Sequence, residues 1–355
     1  MPDMVYIMTN AAENNEVAAF QRMGDGSLTP LGLYSTGGAG SGPSGVSASP
    51  GNGVDPLMSQ GSLVLSPDGR FLFTVNADSN SISSLRISAD GSLALVGTAS
   101  AGEQPVCLST TGNLLYAAHA GSRIDNYASG VMGFTVGGNG SLTVMRGSER
   151  ALSMPGAHPA GIVFSPDGRY LVVSELTTNR LSVFGVGMDG MLSGPVISAS
   201  NGQGPFGSVF LPSGLLLTAE AGTNALTSYR LAQNGTLQAI STALNRQMAT
   251  CWVAATPGGR HAYTTNAASG TVSTYNIMTG GALRFVGNVP ATGRMAAGAP
   301  IDCGVSPDGR NFYALNGNQG SVSAFSIDTN GRLMLLQVLT DTGLPSLGTQ
   351  GLAVM

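Results

Sequence analysis

A five-residue turn, Ser-Pro-Asp-Gly-Arg, occurs three times, at residues 66–70, 165–169 and 306–310. Proline fixes φ at the first central position of such a turn, and Asp-Gly favours the tight reversal that joins two strands. Degenerate copies lie between them: Thr-Thr-Gly-Asn at 110–113, Leu-Pro-Ser-Gly at 211–214 and Thr-Pro-Gly-Gly-Arg at 256–260. The turn glycines Gly69, Gly112, Gly168, Gly214, Gly259 and Gly309 mark a period of roughly 45 residues, the length of a four-stranded propeller blade.

Each turn is flanked by short β runs. Residues 62–65, 161–164 and 304–305 precede it, and 71–75, 170–173 and 312–315 follow it. A third run alternates as a strand should, as in Ser81-Ile82-Ser83-Ser84-Leu85, and a second Gly turn leads to a fourth. The first repeat lacks its innermost strand and the last has one too many, in residues 351–355. The surplus strand would pair into the N-terminal blade and leave no open edge. The expectation is an all-β, seven-bladed propeller with four antiparallel strands per blade, forming one domain over residues 1–355.

Composition fits this and narrows function. The chain has 355 residues, 52 of them Gly, with only 10% charged. All 15 cationic residues are Arg, so Schiff-base and Lys general-base chemistry are excluded. No basic run exists, so nucleic acid is not an expected partner. Cys107, Cys251 and Cys303 have no short paired spacing, so neither a disulfide framework nor a zinc site is expected. The N-terminus has no basic n-region, and no apolar stretch of about 18 residues is present. A cytoplasmic protein with no membrane association, taken as a monomer, is the expectation.

Connectivity puts the Pro-Asp-Gly turns on one face and the long loops, residues 37–60, 120–130, 146–158 and 290–300, on the other. Function concentrates on irregular loops held by a rigid scaffold. Seven residues past each turn glycine the second strand reaches this face, at Asn76, His119, Glu175, Asn266 and Asn316. Asn10 is aligned with the slot in the split blade, and Glu220 fills it in blade five. Asn commonly caps strand ends and turns. His119, Glu175 and Glu220 bring ionisable groups to successive blades, and two carboxylates facing one channel would raise one pKa. They are the candidate catalytic residues, with Asn76, Asn266 and Asn316 as substrate-binding candidates. A second ring, eight residues before each glycine, holds Gly61, Gln104, Ala160, Phe206, Cys251 and Ile301. Phe206 and Cys251 are expected to line the channel mouth, with His158 beside it and Arg294 on a neighbouring loop.

The residues resemble the lactonase family of seven-bladed propellers, which includes bacterial phosphogluconolactonases and fungal carboxymuconate-cyclising enzymes. The resemblance covers the whole chain and is carried by residues 158–184 (HPAGIVFSPDGRYLVVSELTTNRLSVF), by Ala219-Glu220-Ala221-Gly222-Thr223-Asn224, and by 251–275. It implies a site with a His, a Glu and two Arg. Only the Glu survives, as Glu220, while Ala160, Phe206 and Ala267 stand in the His and Arg slots. Without the arginines a phosphorylated or multiply carboxylated substrate loses its bidentate anchors.

The leading expectation is therefore a lactonase-like or cycloisomerase-like enzyme. Its substrate would be a small, weakly charged lactone or cyclisable metabolite, worked on by carboxylate acid/base chemistry without metal or cofactor. A metal-dependent lactonase, using the hard oxygen ligands of the Glu and Asn ring, and a non-catalytic binding propeller are the alternatives.

Overall fold

The computed structural model describes residues 3–46, 53–294 and 297–355. Residues 47–52 of the 37–60 loop and 295–296 of the 290–300 loop lie outside the described residues.

Seven antiparallel sheets follow one another around a ring. Blade 1 is Met4–Met8, Glu16–Arg22 and Leu28–Ser35, with Leu352–Val354 as its inner strand. Blade 2 is Leu63–Leu65, Phe71–Asn76, Ser81–Ile87 and Leu93–Ser100. Blade 3 is Pro105–Thr111, Leu114–His119, Gly130–Val136 and a broken outer strand, Leu142–Val144 then Arg150–Ala151. Blade 4 is Pro159–Phe164, Tyr170–Glu175, Arg180–Val186 and Leu192–Ala199, and blade 5 is Pro205–Phe210, Leu215–Glu220, Ala225–Leu231 and Leu237–Leu244. Blade 6 is Thr250–Ala255, His261–Asn266, Thr271–Ile277 and Leu283–Pro290, and blade 7 is Pro300–Val305, Asn311–Asn316, Ser321–Ile327 and Leu333–Leu339. No helix among the described residues is long and apolar enough to cross a membrane.

The ring closes as the surplus C-terminal strand requires. Ile7, Tyr6 and Val5 pair with Leu352, Ala353 and Val354, and Met355 N–H donates to the Met4 carbonyl at 2.8 Å. In the split blade Met8 pairs with Val17, so it is Thr9 that bonds opposite Glu16, as Asn76 stands opposite Ser81. The strand-end slot of blade 1 therefore belongs to Thr9 and not to Asn10.

The chemistry of the repeated turn is visible in its bonds. Gly69 takes φ +67°, a left-handed conformation that glycine adopts without a Cβ penalty. Ser66 Oγ donates to Asp68 Oδ1 at 2.7 Å and accepts from Phe71 N–H at 2.9 Å. The same pattern repeats at Ser165–Asp167 and Ser306–Asp308. The Ser66 hydroxyl, assisted by Arg70, holds the Asp68 carboxyl down to about 2.

The blades pack face to face, so their second strands are buried along their length, as Phe71–Asn76 is. On the turn face tyrosines fasten one blade to the next. Tyr6, Tyr116, Tyr263 and Tyr313 each donate a hydroxyl to the carbonyl of Gly91, Gly190, Gly331 and Gly26 respectively, at 2.8 to 2.9 Å. A buried tyrosine needs such a partner, and a glycine turn carbonyl supplies it.

Candidate active site at the channel mouth

Several of the polar strand ends fasten one blade to the next on the loop face. Asn76 donates to Ser81 Oγ and Ser83 Oγ of its own blade and accepts from Asn15 and Thr36 of blade 1. Asn266 donates to Thr271 and Ser273 and accepts from Asn245 and Thr250. Asn316 donates to Ser321 and Ser323.

The two glutamates sit in the same way. Glu175 accepts from Ser182 at 2.5 Å, Thr178 at 2.7 Å, Ser153 N–H at 3.0 Å and the Ser153 hydroxyl. Glu220 accepts from Tyr229 and Ser200, both at 2.8 Å. Both carboxylates are fully buried, and each closes the seam with its own preceding blade, Glu175 through Ser153 and Glu220 through Ser200. Burial raises the Glu220 pKa. His119 packs between Gly102 and Gly130, where an added Cβ would lie within 3 Å of the ring. Its nearest carboxylate oxygen is Glu149 Oε1 at 3.8 Å, and burial lowers its pKa.

Entry to the inner strands explains where the channel wall lies. A left-handed residue, Gln104, His158, Gly204, Ala249 or Ala299, precedes the Pro or Thr that stands opposite the second-strand end. Its carbonyl accepts the N–H of the residue after that strand end, as His158 O does from Leu176 at 3.0 Å. A register shift follows in each of these strands. Such bulges re-aim side chains, and they bring Gly161, Gly207, Trp252 and Asp302 into use, one residue beyond the ring counted from the turn glycines. Phe206 packs edge-to-face on Trp252, ring centroids 4.9 Å apart. Cys251 is buried beside them, and burial together with Asp55 pushes its thiol well up. Arg294 is exposed on the loop after blade 6.

Residues 53–60 run across the mouth. Gln60 N–H donates to Ala160 O of blade 4 at 2.8 Å, while its carboxamide accepts from Val253 N–H of blade 6 at 2.9 Å and donates to Val253 O at 3.1 Å. Ser59 donates to Val106 O of blade 3, and its carbonyl accepts from Trp252 Nε1 at 3.0 Å. His158 Nε2 lies 3.1 Å from Leu57 O and 3.3 Å from Met58 O. A segment bonded to inner strands on opposite sides of the ring must span the channel. Beneath Gln60 a cavity of about 260 Å³ remains, lined by Val64, Thr110, Val163, Ser208 and Val209.

One carboxyl group, Asp55, lies on this segment and another, Asp302, on the inner strand of blade 7. Asp302 accepts from Cys303 N–H and Leu352 N–H, both at 2.9 Å. Asp55 accepts from Gln350 Nε2 at 2.8 Å and Met58 N–H at 3.0 Å. Burial pushes both pKa values up to about 7, and the Asp302 charge adds to the rise at Asp55. Burial holds His158 down to about 4, so it is neutral at pH 7. Val54, Met58, Leu176, Phe206, Ala221 and Ile301 belong to one apolar cluster together with Cys251 and Cys303. No group of three or more His, Cys, Asp or Glu placed to hold a metal occurs among the described residues.

Asp302, Asp55, Gln350, Trp252 and Gln60 were not singled out by the repeat count. The inner-strand residues carry a signal in the Pro or Thr at 105, 159, 205, 250 and 300, which marks the bulge. Asp55 lies on an irregular loop with no repeat slot. The grooves of 290 and 590 Å³ on the opposite face offer only the turns' own Asp and Arg as charged lining, at Asp167 and Arg169 and at Asp68 and Arg70.

The model of the family described as lactonase, 7-bladed β-propeller, matches residues 14–128 and 128–254. A 6-phosphogluconolactonase of Cronobacter sakazakii is 30% identical over 258 residues, which cover 68% of this chain and 73% of that protein. The structure of a periplasmic gluconolactonase of Pseudomonas aeruginosa superposes with a TM-score of 0.75 at 20% identity, over 100% of this chain and 99% of the other. A Lactobacillus plantarum protein gives 0.76 at 17% identity, over the full length of both chains. The last two likenesses are of fold alone, whereas the family match and the Cronobacter relative decide kinship. The chain belongs to the family of seven-bladed β-propeller lactonases.

Proposed function

We propose that the protein hydrolyses a small lactone of low charge at the channel mouth, with Asp302 as general base and Asp55 as general acid. The observation that carries this reading is the placement of two carboxyl groups at the channel mouth, Asp55 on Gln350 Nε2 and Asp302 on Leu352 N–H, where burial raises both pKa values to about 7. A carboxyl titrating near neutrality is available both to take and to give a proton. The name of the Cronobacter relative, a 6-phosphogluconolactonase, supports the lactone class.

The Asp302 charge adds to the rise at Asp55, so in this reading Asp302 ionises first and a single proton resides on Asp55. Asp302 removes a proton from water as the water oxygen attacks the lactone carbonyl. The acyl C–O bond then breaks, and the Asp55 proton goes to the leaving alkoxide. The product is the open hydroxy acid, and the pair again holds one proton. Glu175, Glu220, His119 and the Asn ring hold the blades in register in this reading, while Phe206 and Cys251 form part of the wall.

Two acids and an apolar cluster disfavour a phosphorylated ring, because a phosphate needs Arg or backbone donors. The test is a panel of neutral five- and six-membered lactones alongside phosphorylated gluconolactone, with acid release followed for the wild type and Asp302→Asn. Turnover of neutral rings that is lost in the variant supports the reading. Turnover of the phosphorylated ring alone, or full activity in Asp302→Asn, overturns it.

A further inference from the structure

We propose that Gln350 is a positioning residue of the site: its carboxamide, carried on the ring-closing segment, sets Asp55 in place at the channel mouth, so that closing the ring also assembles the site. The inference rests on the proposed function for what Asp55 does, but its titration test needs no substrate.

One fully buried carboxamide makes three bonds to the loop that carries Asp55. Gln350 Nε2 donates to Asp55 Oδ1 and to the Ser59 carbonyl, both at 2.8 Å, and Oε1 accepts from Leu57 N–H at 2.9 Å. Both Nε2 hydrogens are used, so the amide stands one way round: flipped, Oε1 would face two acceptor oxygens. Met58 N–H also donates to Asp55 Oδ1, at 3.0 Å. Met58 lies on the same loop as Asp55, whereas Gln350 reaches it from the far end of the chain.

Ring closure in turn anchors Gln350. Its N–H donates to the Met8 carbonyl at 3.2 Å, and Met8 N–H donates to the Gly351 carbonyl at 3.1 Å, next to the pairing of Ile7 with Leu352. Gly351 takes φ +88°, and a Cβ there would lie 2.6 Å from Ser62 Oγ and 3.0 Å from Leu63 Cβ. A left-handed glycine lets the chain turn between the carboxamide that faces the loop and the strand that closes the ring. Leu352 N–H then donates to Asp302 at 2.9 Å, so the stretch 350–352 bonds both acids.

A donor on a carboxylate favours its charged form. Gln350 therefore opposes the burial that raises the Asp55 pKa to about 7, besides fixing where the carboxyl stands. The other groups around Asp55 leave this effect readable. The Asp302 charge adds to the rise, burial keeps the Cys251 thiol neutral, and His158, bonded to the Leu57 and Met58 carbonyls, is neutral at pH 7.

The test is titration of the Asp55 carboxyl by NMR of the full chain with isotope-labelled aspartate, assigned with Asp55→Asn, in the wild type, Gln350→Ala and Gln350→Glu. Loss of the donor should move the Asp55 pKa up by about one pH unit in Gln350→Ala, and further in Gln350→Glu, where an oxygen replaces the donor. Either variant serves if the other does not fold. On a neutral lactone, kcat of the folded variant should fall about tenfold or more, and the high-pH limb of the rate profile, set by the general acid, should move up with the Asp55 pKa. An unmoved Asp55 titration in a folded variant, or a moved one with wild-type kcat, overturns the proposal. Full activity in Asp302→Asn overturns the proposed function alone, because the titration of Asp55 in the Gln350 variants is decided without substrate.

Discussion

Gln60 joins Val253 across the channel by two hydrogen bonds, accepting from the backbone N–H at 2.9 Å and donating to the carbonyl at 3.1 Å. A side-chain amide thus replaces a neighbouring strand and blocks the channel between the acids above and the 260 Å³ cavity below. Gly207 makes room for it, because a Cβ there would lie 1.9 Å from Gln60 Oε1 and 2.9 Å from Cys251 O.

Gln60→Ala should therefore cost about 1–3 kcal/mol, the loss of two partly buried bonds together with the backbone groups left unpaired. Gly207→Ala should also destabilise, but by less in the Gln60→Ala background, since the nearest clash has gone while the Cys251 carbonyl remains. Urea unfolding of the two single variants and the double variant measures this coupling. Strict additivity would contradict the contact.

Glu175→Gln should destabilise by about 1–3 kcal/mol, because the amide nitrogen cannot accept from the hydroxyls of Ser153 and Thr178 that now bond one oxygen. The same holds for Glu220→Gln at Ser200 or Tyr229. The folded fraction of each variant should turn over substrate at the wild-type rate. A large loss of kcat in a variant that remains folded would return these glutamates to the chemistry.

Acid stability should show the paired carboxyls directly. Their folded pKa values of about 7 lie well above the ordinary carboxylate value near 4. The folded state binds more protons between about pH 4 and 7, so unfolding free energy falls as pH rises through that window and levels above it. His158, held down to about 4, contributes stability present above its ordinary 6.5 and lost as pH falls. Unfolding midpoints at pH 6 and pH 8 should differ in the wild type and differ less in Asp302→Asn, where the buried Asp55 still titrates. An equal shift in both would contradict the assignment.

The ring closure was legible in residues 351–355 because a strand without a partner in its own repeat must find one elsewhere, and the blade count followed from the turn glycines. The polar strand ends were legible as a repeated position but not by role. Counting positions cannot tell a side chain that enters the channel from one that enters the seam between blades, and Ser182 beside Glu175 or Tyr229 beside Glu220 becomes a partner only when strands pair. Asp302 escaped the count because the bulge after Pro300 shifts the wall by one residue. Asp55 escaped because its loop has no counterpart in the repeat. The alignment of Asn10 failed for a related reason: the split blade has no preceding turn from which to count, and pairing with Val17 and Glu16 sets its register.

The most direct test of the acid pair is the rate of neutral-lactone hydrolysis by Asp302→Asn relative to wild type, at pH 7 and with folding verified. A drop of about a hundredfold or more is expected for loss of a general base, with Glu175→Gln and Glu220→Gln active in the same assay. Wild-type turnover in Asp302→Asn, with activity lost instead in a folded glutamate variant, would contradict the account.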